Sequence, residues 1–262
     1  MGIFDGVLIA SDWDGTLFCD DTIPERAREA INYFMDNGGR FALTSGRDAT
    51  FLSEKKHLIK PNTYCICYGG ALVCDIESGE VLRRGYLDRG AVEAIDRILS
   101  SGVDIARINV FCDGGIRHYT PNEYYEFGKN ETLTADIYKV TFNCSDSDAG
   151  ERLRDITEGF GYTEYTFRRS FAPYLEIMQS EYTKGVSAQF LKKKLGMRVL
   201  VGMGDYENDI PLFEKCDISF AVANAVDSLK SIATYVTKAT VRESAAAEII
   251  ETLEKLIKAG KI

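Results

Sequence analysis

Short apolar runs alternate with helix-like stretches over roughly the first third of the chain. The runs at positions 7–10, 41–43 and 64–67 are brief and uninterrupted, which predicts buried strands rather than amphipathic helices. Between them, Thr22 and Pro24 predict the start of a helix ending near 37–39, and Asp48 predicts the cap of a second helix reaching about His57. Strands alternating with helices in this way predict a parallel sheet.

The same alternation returns near the end of the chain. Thr183 predicts the cap of a lysine-rich helix that stops at Gly196. Further apolar runs predict three strands, at 199–202, 218–222 and 235–237. Apolar residues spaced along one face predict a final helix from about 244 to 258. Two distant stretches therefore share one α/β pattern.

The middle of the chain has a different pattern. Helices are predicted at 88–99 and 148–158, and alternating strands at 137–142, 162–167 and 174–178, whereas 122–134 lacks periodicity and predicts a loop or short hairpin. The pattern indicates an α+β domain at 82–181, inserted into an α/β core formed by 1–81 and 182–262.

Composition limits the partners. The chain has 262 residues, with 40 acidic and 31 basic side chains and a formal charge of −9. This charge disfavours nucleic acid and anionic membranes as partners, and nowhere do ~18 apolar residues follow one another. The seven cysteines show no zinc spacing and the chain has only two histidines, so we expect reduced thiols, a cytoplasmic location and a metal that prefers oxygen ligands.

Two acids, Asp12 and Asp14, directly follow the first predicted strand. Residues i and i+2 of an extended segment face the same side, and Gly15 lets the chain turn afterwards. Two like charges so close require a cation, a shared proton or a reaction. Taken alone, the motif is also explained by a solvated acidic turn.

A second acidic pair, Asp205 and Asp209, follows the strand predicted at 199–202. Together with the first pair it predicts a cup of carboxylates for a hard cation such as Mg²⁺. The glycines at 202 and 204 do not form the G-x-G-x-x-G order of a dinucleotide loop. An EF-hand is excluded because Gly15 is at the fourth position from Asp12 and Leu17 at the sixth.

Two weaker signals complete the set. The hydroxyl of Ser45 and the backbone N–H groups around Gly46 precede a helix and predict an anion-binding corner, although such turns often only cap helices. Lys184 supplies a cation at a predicted helix start, although a lone lysine is usually just solvated. Combined with the carboxylates, these are the groups that phosphoryl transfer requires.

The order and spacing of these motifs resemble the haloacid dehalogenase superfamily of phosphohydrolases. The matching positions are residues 12–16, Ser45, Lys184 and Gly204-Asp205-x-x-Asn208-Asp209. The insert between the second and third motifs resembles the Cof-type branch with a type IIB cap. This resemblance implies a Rossmann-like parallel-sheet core with an inserted α+β cap domain.

The resemblance also implies roles for individual residues. Asp12 would be the nucleophile, Asp14 the general acid and base, and Asp205 a ligand of Mg²⁺ together with Asp12 and the backbone carbonyl of Asp14. Asp209 would hold metal-bound water or orient Lys184. The expected phosphate-binding residues are Ser45, Gly46, Lys184 and Asn208.

The substrate is expected to be a small phosphate ester, with sugar phosphates first and cofactor phosphates second. Candidate substrate contacts are Arg47, Gly69, Gly70, His118 and Arg168. Many Cof-type proteins have Asn-Gly-Ala where this chain has Gly69-Gly70-Ala71, and Ala223 replaces a glycine of a later family turn. A phosphomutase, and a non-catalytic phospho-receiver or metal-binding module, are the alternative functions, and the sequence does not distinguish a monomer from a dimer.

Overall fold

The computed structural model describes residues 2–113 and 115–262, which form two compact units. The first unit joins residues 2–83 to Lys184–Ile262, and the second is the continuous segment Arg84–Thr183. Each unit has its own hydrophobic core of buried aliphatic and aromatic side chains. No helix in the described ranges combines the length and apolar character needed to span a bilayer.

The N-terminal part of the first unit alternates strands and helices before ending in a small antiparallel sheet. Its elements are β1 (Val7–Ser11), α1 (Glu25–Asp36), β2 (Arg40–Leu43), α2 (Ala49–Glu54), β3 (Cys65–Cys67), β4 (Leu72–Cys74) and β5 (Val81–Arg84). The Asp48 side chain accepts a hydrogen bond from the backbone N–H of Phe51, as expected for the cap of α2. Helix α1 has Pro24 at its N-cap position and no side-chain cap, so the expected capping role of Thr22 is wrong.

The second unit contains more regular structure than its sequence pattern predicts. Its elements are α3 (Ala91–Leu99), β6 (Ile105–Cys112), β7 (Gly115–Tyr119), α4 (Pro121–Glu123), α5 (Lys129–Thr134), β8 (Ile137–Cys144), α6 (Ser147–Glu158), β9 (Tyr165–Phe171) and β10 (Tyr174–Gln179). Five of these strands form one antiparallel sheet in the order β7-β6-β8-β10-β9.

The C-terminal part of the first unit returns to alternating helices and strands. Its elements are α7 (Lys184–Lys194), β11 (Val199–Gly204), α8 (Ile210–Lys215), β12 (Ile218–Ala221), α9 (Asp227–Lys230), β13 (Tyr235–Val236) and α10 (Ala245–Lys258). Leu253 and Ile250 of α10 are buried, as the predicted apolar face requires.

The main sheet of the first unit confirms the predicted parallel arrangement. Its strand order is β13-β12-β11-β1-β2, and every pairing in it is parallel. Strand β1 is buried along its whole length, as a central strand covered on both faces must be. Because Ala10 is paired with both Gly202 and Ala42, the carboxyl ends of β11, β1 and β2 lie side by side.

Strand β3 differs from the expectation that it would extend this sheet. It pairs antiparallel with β4, and within the described ranges a single parallel bridge, Thr44 to Ile66, connects it to the chain after β2. The turn at Tyr68–Gly70 reverses the chain at once, so the next partner of β3 is its own continuation.

The segment at 122–134, expected to be a loop or hairpin, is helical. Thr120 and Glu123 form a capping box, and Pro121 occupies the first turn of α4. A π-helical turn, Tyr124–Gly128, then leads into α5. Local capping and the burial of the Tyr124 side chain, which is 0% exposed, override the missing apolar period.

Strands β6 and β7 are absent from the expectations, β7 because its exposed residues show no apolar alternation and β6 for a different reason. The pairing of β6 with β8 shifts register between Ile105 and Arg107, and again between Phe111 and Cys112. Each irregularity breaks the alternation by which a strand is recognised in sequence.

Candidate active site

The acidic motifs meet at the carboxyl edge of the parallel sheet. Asp12 follows β1 and Asp205 follows β11, and the two strands are neighbours. On the other side of β1, the backbone N–H of Thr44 donates to the carbonyl of Ser11, which fixes the end of β2 beside Asp12. Ligands of open α/β sheets bind at this edge.

Lys184 joins two of the acids. Its Nζ lies 2.5 Å from Oδ1 of Asp12 and 2.6 Å from Oδ1 of Asp209. The lysine is only 1% exposed and Asp209 is 0% exposed, so this is a buried cluster rather than a surface ion pair. The interpretation that a lone lysine is merely solvated does not apply to Lys184, and its contact with Asp209 is the one that an orienting role for Asp209 requires.

Both oxygens of Asp209 are already engaged. Oδ1 accepts from Lys184, and Oδ2 accepts from the backbone N–H groups of Asp205 and Tyr206. A carboxylate so occupied orients its neighbours. Asp12 differs, because the described residues give its Oδ2 no hydrogen-bond partner.

Asp205 is held in place by a hydrogen bond from Thr16, a residue of the first motif. Its Oδ1 accepts a hydrogen bond of 3.0 Å from Oγ1 of Thr16, 189 positions away in the chain. Gly15 has φ +79°, and a Cβ placed on it would lie 2.3 Å from Oδ2 of Asp205. A glycine is therefore required here by both the backbone conformation and the close approach of the carboxylate.

The cluster shifts the ionisation of its members. Burial, followed by the nearby Asp209, raises the pKa of Asp12 well above its ordinary value, and Lys184 offsets this only in part. Burial and Asp209 likewise raise the pKa of Asp205 to about 7. Burial alone would lower the pKa of Lys184, but Asp12 and Asp209 reverse this and raise it.

These residues fit a hard divalent cation. One carboxylate oxygen from each of Asp12, Asp205 and Asp209 lies within 4.8 Å of the other two. Three carboxylates face a single ammonium group, so the cluster has an excess of negative charge that a cation would neutralise. An all-oxygen donor set favours magnesium or calcium over zinc or copper.

The expected anion-binding corner is tightly braced. Ser45 is 0% exposed, and its Oγ accepts a hydrogen bond from the backbone N–H of Arg47. Its carbonyl accepts from the N–H of Gly69, in the turn after β3. Gly69 and Gly70 both have positive φ, and the carbonyl of Gly70 accepts from Oγ of Ser187. Gly46, Gly69 and Gly70 thus lie in one connected backbone region beside Ser45.

Asp14 lies outside the buried cluster. Its carboxylate is 46% exposed and pairs with the guanidinium of Arg47, so its side chain is not one of the three grouped carboxylates. The alternation-based expectation that both carboxylates would join one cup is therefore wrong for the side chain of Asp14. A metal contact by its backbone carbonyl stays a prediction. Arg47, expected as a substrate contact, is instead bonded to Asp14.

Between the two acids, Trp13 is completely buried. Its ring stacks on Phe18 with the ring centroids 4.9 Å apart. The carbonyl of Phe18 accepts from the N–H of Gly15, which closes the turn of the first motif. Apolar packing of Trp13 on Phe18 therefore stabilises the turn that carries Asp12 and Asp14.

Asn208 lies in a short 3-10 turn, Glu207–Asp209, and is partly exposed. It is adjacent in sequence to Asp209, which the backbone of Asp205 holds. This location is compatible with the expected contact to phosphate.

The two candidate substrate residues of the second unit share one row of its sheet. Cross-strand pairing links His118 to Asn109, Asn109 to Thr141, Thr141 to Glu176 and Glu176 to Arg168. We call these five residues the polar row. Neighbours of the row along the strands belong to the hydrophobic core, so the row lies on the opposite face of the sheet.

Hydrogen bonds connect much of the polar row. Nδ1 of His118 lies 2.7 Å from Oδ1 of Asn109, whose Nδ2 donates to Oγ1 of Thr141 at 2.9 Å. Glu176 forms an ion pair of 2.6 Å with Lys139, and both side chains are 3% exposed. Sequence patterns indicated only His118 and Arg168, because the strand register that aligns the others is not visible in one chain.

Sequence reasoning also missed Asn224 as a structural member of the first unit's site. Its side-chain amide donates to the carbonyl of Gly15 and its Oδ1 accepts from the N–H of Val241. The turn at 223–225 was the available signal, but its link to Gly15 depends on the tertiary fold.

Comparisons with known proteins identify the family of this chain. A family model for haloacid dehalogenase-like hydrolases matches residues 9–250. A candidate phosphatase of Bacillus subtilis, YxeH, is 28% identical, with 88% of this chain and 92% of that protein covered. Phosphoglycolate phosphatase 2 of Saccharolobus solfataricus is 23% identical, over 96% of this chain and 92% of its own length.

Solved structures support the same fold. The sugar phosphatase BT4131, of HAD subclass IIB, superposes with a TM-score of 0.74 at 19% identity. The match covers 94% of this chain and 98% of that one. At this level of identity the likeness concerns the fold alone.

Proposed function

Because the chain belongs to the haloacid dehalogenase-like hydrolases and is a phosphatase, we propose that it hydrolyses small phosphate monoesters through a covalent intermediate on Asp12. We propose Mg²⁺ as the cofactor and sugar phosphates as the first substrate class. The observation that carries this proposal is the buried Asp12, with Oδ1 bound to Lys184 and Oδ2 available to attack.

The first step transfers the phosphoryl group. Oδ2 of Asp12 forms a bond to phosphorus as the bond from phosphorus to the leaving oxygen breaks, and Asp14 gives that oxygen a proton. Lys184 and the hydroxyl of Ser45 stabilise the negative charge on the phosphoryl oxygens, with the backbone N–H groups at Gly46 and the Asn208 amide as further donors. The leaving alcohol then departs.

The second step returns the enzyme to its starting state. Asp14 takes a proton from water, the water oxygen bonds to phosphorus, and the bond to Asp12 breaks. Asp209 keeps Lys184 in position through both steps, supported by the contact of 2.6 Å between Nζ and Oδ1. Asp12 is thereby regenerated.

Mg²⁺ would be held by Asp12, Asp205 and the backbone carbonyl of Asp14, with Asp209 next to them, and would supply positive charge to the transferring phosphoryl group. The excess of carboxylates over cations in this cluster supports that assignment. It agrees with the all-oxygen donor set.

The second unit is proposed to read the leaving group. The polar row supports this role, since it combines donors and acceptors able to bind hydroxyl or carboxylate groups of a small metabolite. His118 and Arg168, at the two ends of the row, are the proposed contacts. The name of the archaeal relative and that of BT4131 indicate small phosphorylated acids and sugars as the classes to test first.

The cytoplasm is the proposed location, and the substrate the only proposed partner. All seven cysteines are free thiols, which suits a reducing compartment. Nucleic acid and membrane surfaces are disfavoured by the formal charge of −9.

The test measures phosphate released from a panel of sugar phosphates, phosphoglycolate and 4-nitrophenyl phosphate, with Mg²⁺ and with EDTA. We expect Mg²⁺-dependent release that Asp12→Asn abolishes while the melting temperature shows a folded protein. Persistent turnover by D12N would exclude Asp12 as the nucleophile. Turnover that needs a bisphosphate and leaves no free phosphate would instead indicate a phosphomutase.

A further inference from the structure

Asp14 and Arg47 form a two-point ion pair at the rim of the site. Nε of Arg47 lies 3.0 Å from Oδ2 of Asp14, and Nη2 lies 3.0 Å from Oδ1. Both carboxylate oxygens therefore face one planar guanidinium. Such paired contacts define the plane of a carboxylate, which a single contact does not.

The guanidinium is itself held in place. It lies over the ring of Phe51, with its central carbon 4.7 Å from the ring centroid. The backbone of Arg47 is fixed at both ends, because its N–H donates to Oγ of Ser45 and its carbonyl accepts from the N–H of Tyr68. The anion-binding corner thus fixes the backbone of Arg47, and Phe51 fixes the position of its guanidinium group.

We propose that Arg47 is a positioning residue, which orients the Asp14 carboxylate toward the leaving-group oxygen. This inference rests on the proposed function, in which Asp14 is the general acid and base. The Asp14 side chain is short and 46% exposed, so it could rotate freely on its own. The two hydrogen bonds from Arg47 restrict this rotation. The sequence suggested that Arg47 touches substrate, and the geometry assigns it to Asp14.

A stabilising role explains the pair less well. The side chains of Arg47 and Asp14 are 51% and 46% exposed, and exposed ion pairs add little to stability. The same unit offers a matched control in Arg242 and Asp20, which also make two contacts, at 2.9 and 3.1 Å, on a more exposed surface.

The test compares substrates that differ only in how much they need a general acid. For Arg47→Met and Arg47→Lys, kcat/KM is measured with 4-nitrophenyl phosphate, whose leaving group departs readily, and with an alkyl phosphate, whose leaving group requires protonation. The value of kcat/KM reports only the steps up to the departure of the alcohol, so the later hydrolysis of the intermediate does not affect it. We expect about a 100-fold loss with the alkyl phosphate and less than about a threefold loss with the aryl phosphate.

Three further variants sharpen the result. Arg242→Met is expected to leave both rates unchanged. Phe51→Leu is expected to give the same leaving-group pattern with a smaller loss, because it loosens the guanidinium without removing it. In the Asp14→Asn background, Arg47→Met is expected to add almost nothing, since the two residues act as one unit.

Other outcomes would overturn the proposal. An equal loss with both substrates, joined by weaker inhibition by inorganic phosphate, would show that Arg47 binds the phosphoryl group directly. Full activity of R47K on the alkyl phosphate would show that charge suffices without the two-point geometry. Failure of the proposed function is separate: it appears as inactive wild-type protein or as active D12N, before any comparison at Arg47.

Discussion

Each unit of the protein buries one lysine against carboxylates, and the two clusters differ in charge balance. In the first unit, Lys184 meets Asp12 and Asp209, with Asp205 within the same group. In the second unit, Lys139 meets Glu176, at 2.6 Å, one charge against one. In a balanced buried pair each charge is neutralised by its partner. An excess of buried carboxylates instead requires a further cation or a reaction. Charge balance, more than burial, separates a reactive cluster from a structural one.

The largest expected effect follows from removing the cation of the unbalanced cluster. Lys184→Met should lower phosphate release by about 10³-fold, as expected for the loss of charge stabilisation of the phosphoryl group. It should also destabilise the fold by about 3–5 kcal/mol, because Asp12 and Asp209 would be left facing each other without a partner.

The control for this variant lies on the same helix. Lys192 pairs with Asp217 at 2.6 Å but takes no part in the site, so Lys192→Met should keep its turnover. Steady-state rates and thermal melts of both variants check the comparison. Equal loss of turnover in the two would mean that α7 matters only as scaffold.

Gly15 tests how closely the unbalanced cluster is packed. Gly15→Ala forces a methyl group into the space of the Asp205 carboxylate, and we expect about a 100-fold fall in kcat, as for small displacements in an active site. Gly79 has a similar φ of +76° with nothing within 4 Å of its added Cβ.

Gly79→Ala therefore introduces similar backbone strain without a close contact such as that of Gly15 with Asp205. It should cost about 1–3 kcal/mol of stability and leave kcat unchanged. Kinetics and urea unfolding of the two variants separate strain from displacement. A comparable fall in kcat for G79A would refute the role assigned to the contact.

At the polar row, the proposed leaving-group contact predicts a smaller effect. Arg168→Met should reduce kcat/KM for the preferred sugar or acid phosphate by about tenfold, the value of one good contact, while 4-nitrophenyl phosphate is turned over as before. Initial rates over a substrate panel give the ratio. Unaltered selectivity would remove Arg168 from the substrate-reading residues.

The balanced pair should affect turnover least. Replacing Lys139 alone should destabilise the protein by about 3–5 kcal/mol, because Glu176 remains buried without a partner. Replacing both, as Lys139→Met with Glu176→Leu, should recover most of that loss and change turnover of 4-nitrophenyl phosphate less than about twofold. Chemical unfolding tests the first expectation and aryl phosphatase assays the second. A large rate defect with this aryl substrate would give the pair a role in the reaction itself, beyond the leaving-group reading proposed for the polar row.

The same contrast explains what could be predicted from sequence. Every residue of the buried cluster either follows a strand of the parallel sheet or begins a helix that packs on it. The carboxyl ends of adjacent parallel strands lie at the same edge of the sheet, which brings residues at such positions together. The sequence could therefore group Asp12, Asp205 and Asp209 by their places after strands, whereas Lys184 joined them only through the chemistry of the combined motifs and the family resemblance. The fold of the first unit followed from the same regular alternation.

The polar row of the second unit and the contacts that support the active site could be found only from the structure. Its polar row depends on the register of five antiparallel strands, and two register shifts in β6 hide that register from the sequence. The pair of Asp14 with Arg47 spans 33 positions and the bond from Asn224 to Gly15 spans 209, so no local pattern indicates either. Short-range patterns do not report contacts made by the tertiary fold.

Trp13 gives the site an optical reporter of its own. The chain has a single tryptophan, which lies between Asp12 and Asp14 in the sequence and is buried with its ring on Phe18. Its emission arises from one known environment, so a change in wavelength or intensity can be assigned, without a label, to the turn that carries Asp12 and Asp14. Titration of the unmodified protein with magnesium or phosphate can therefore be followed by fluorescence alone.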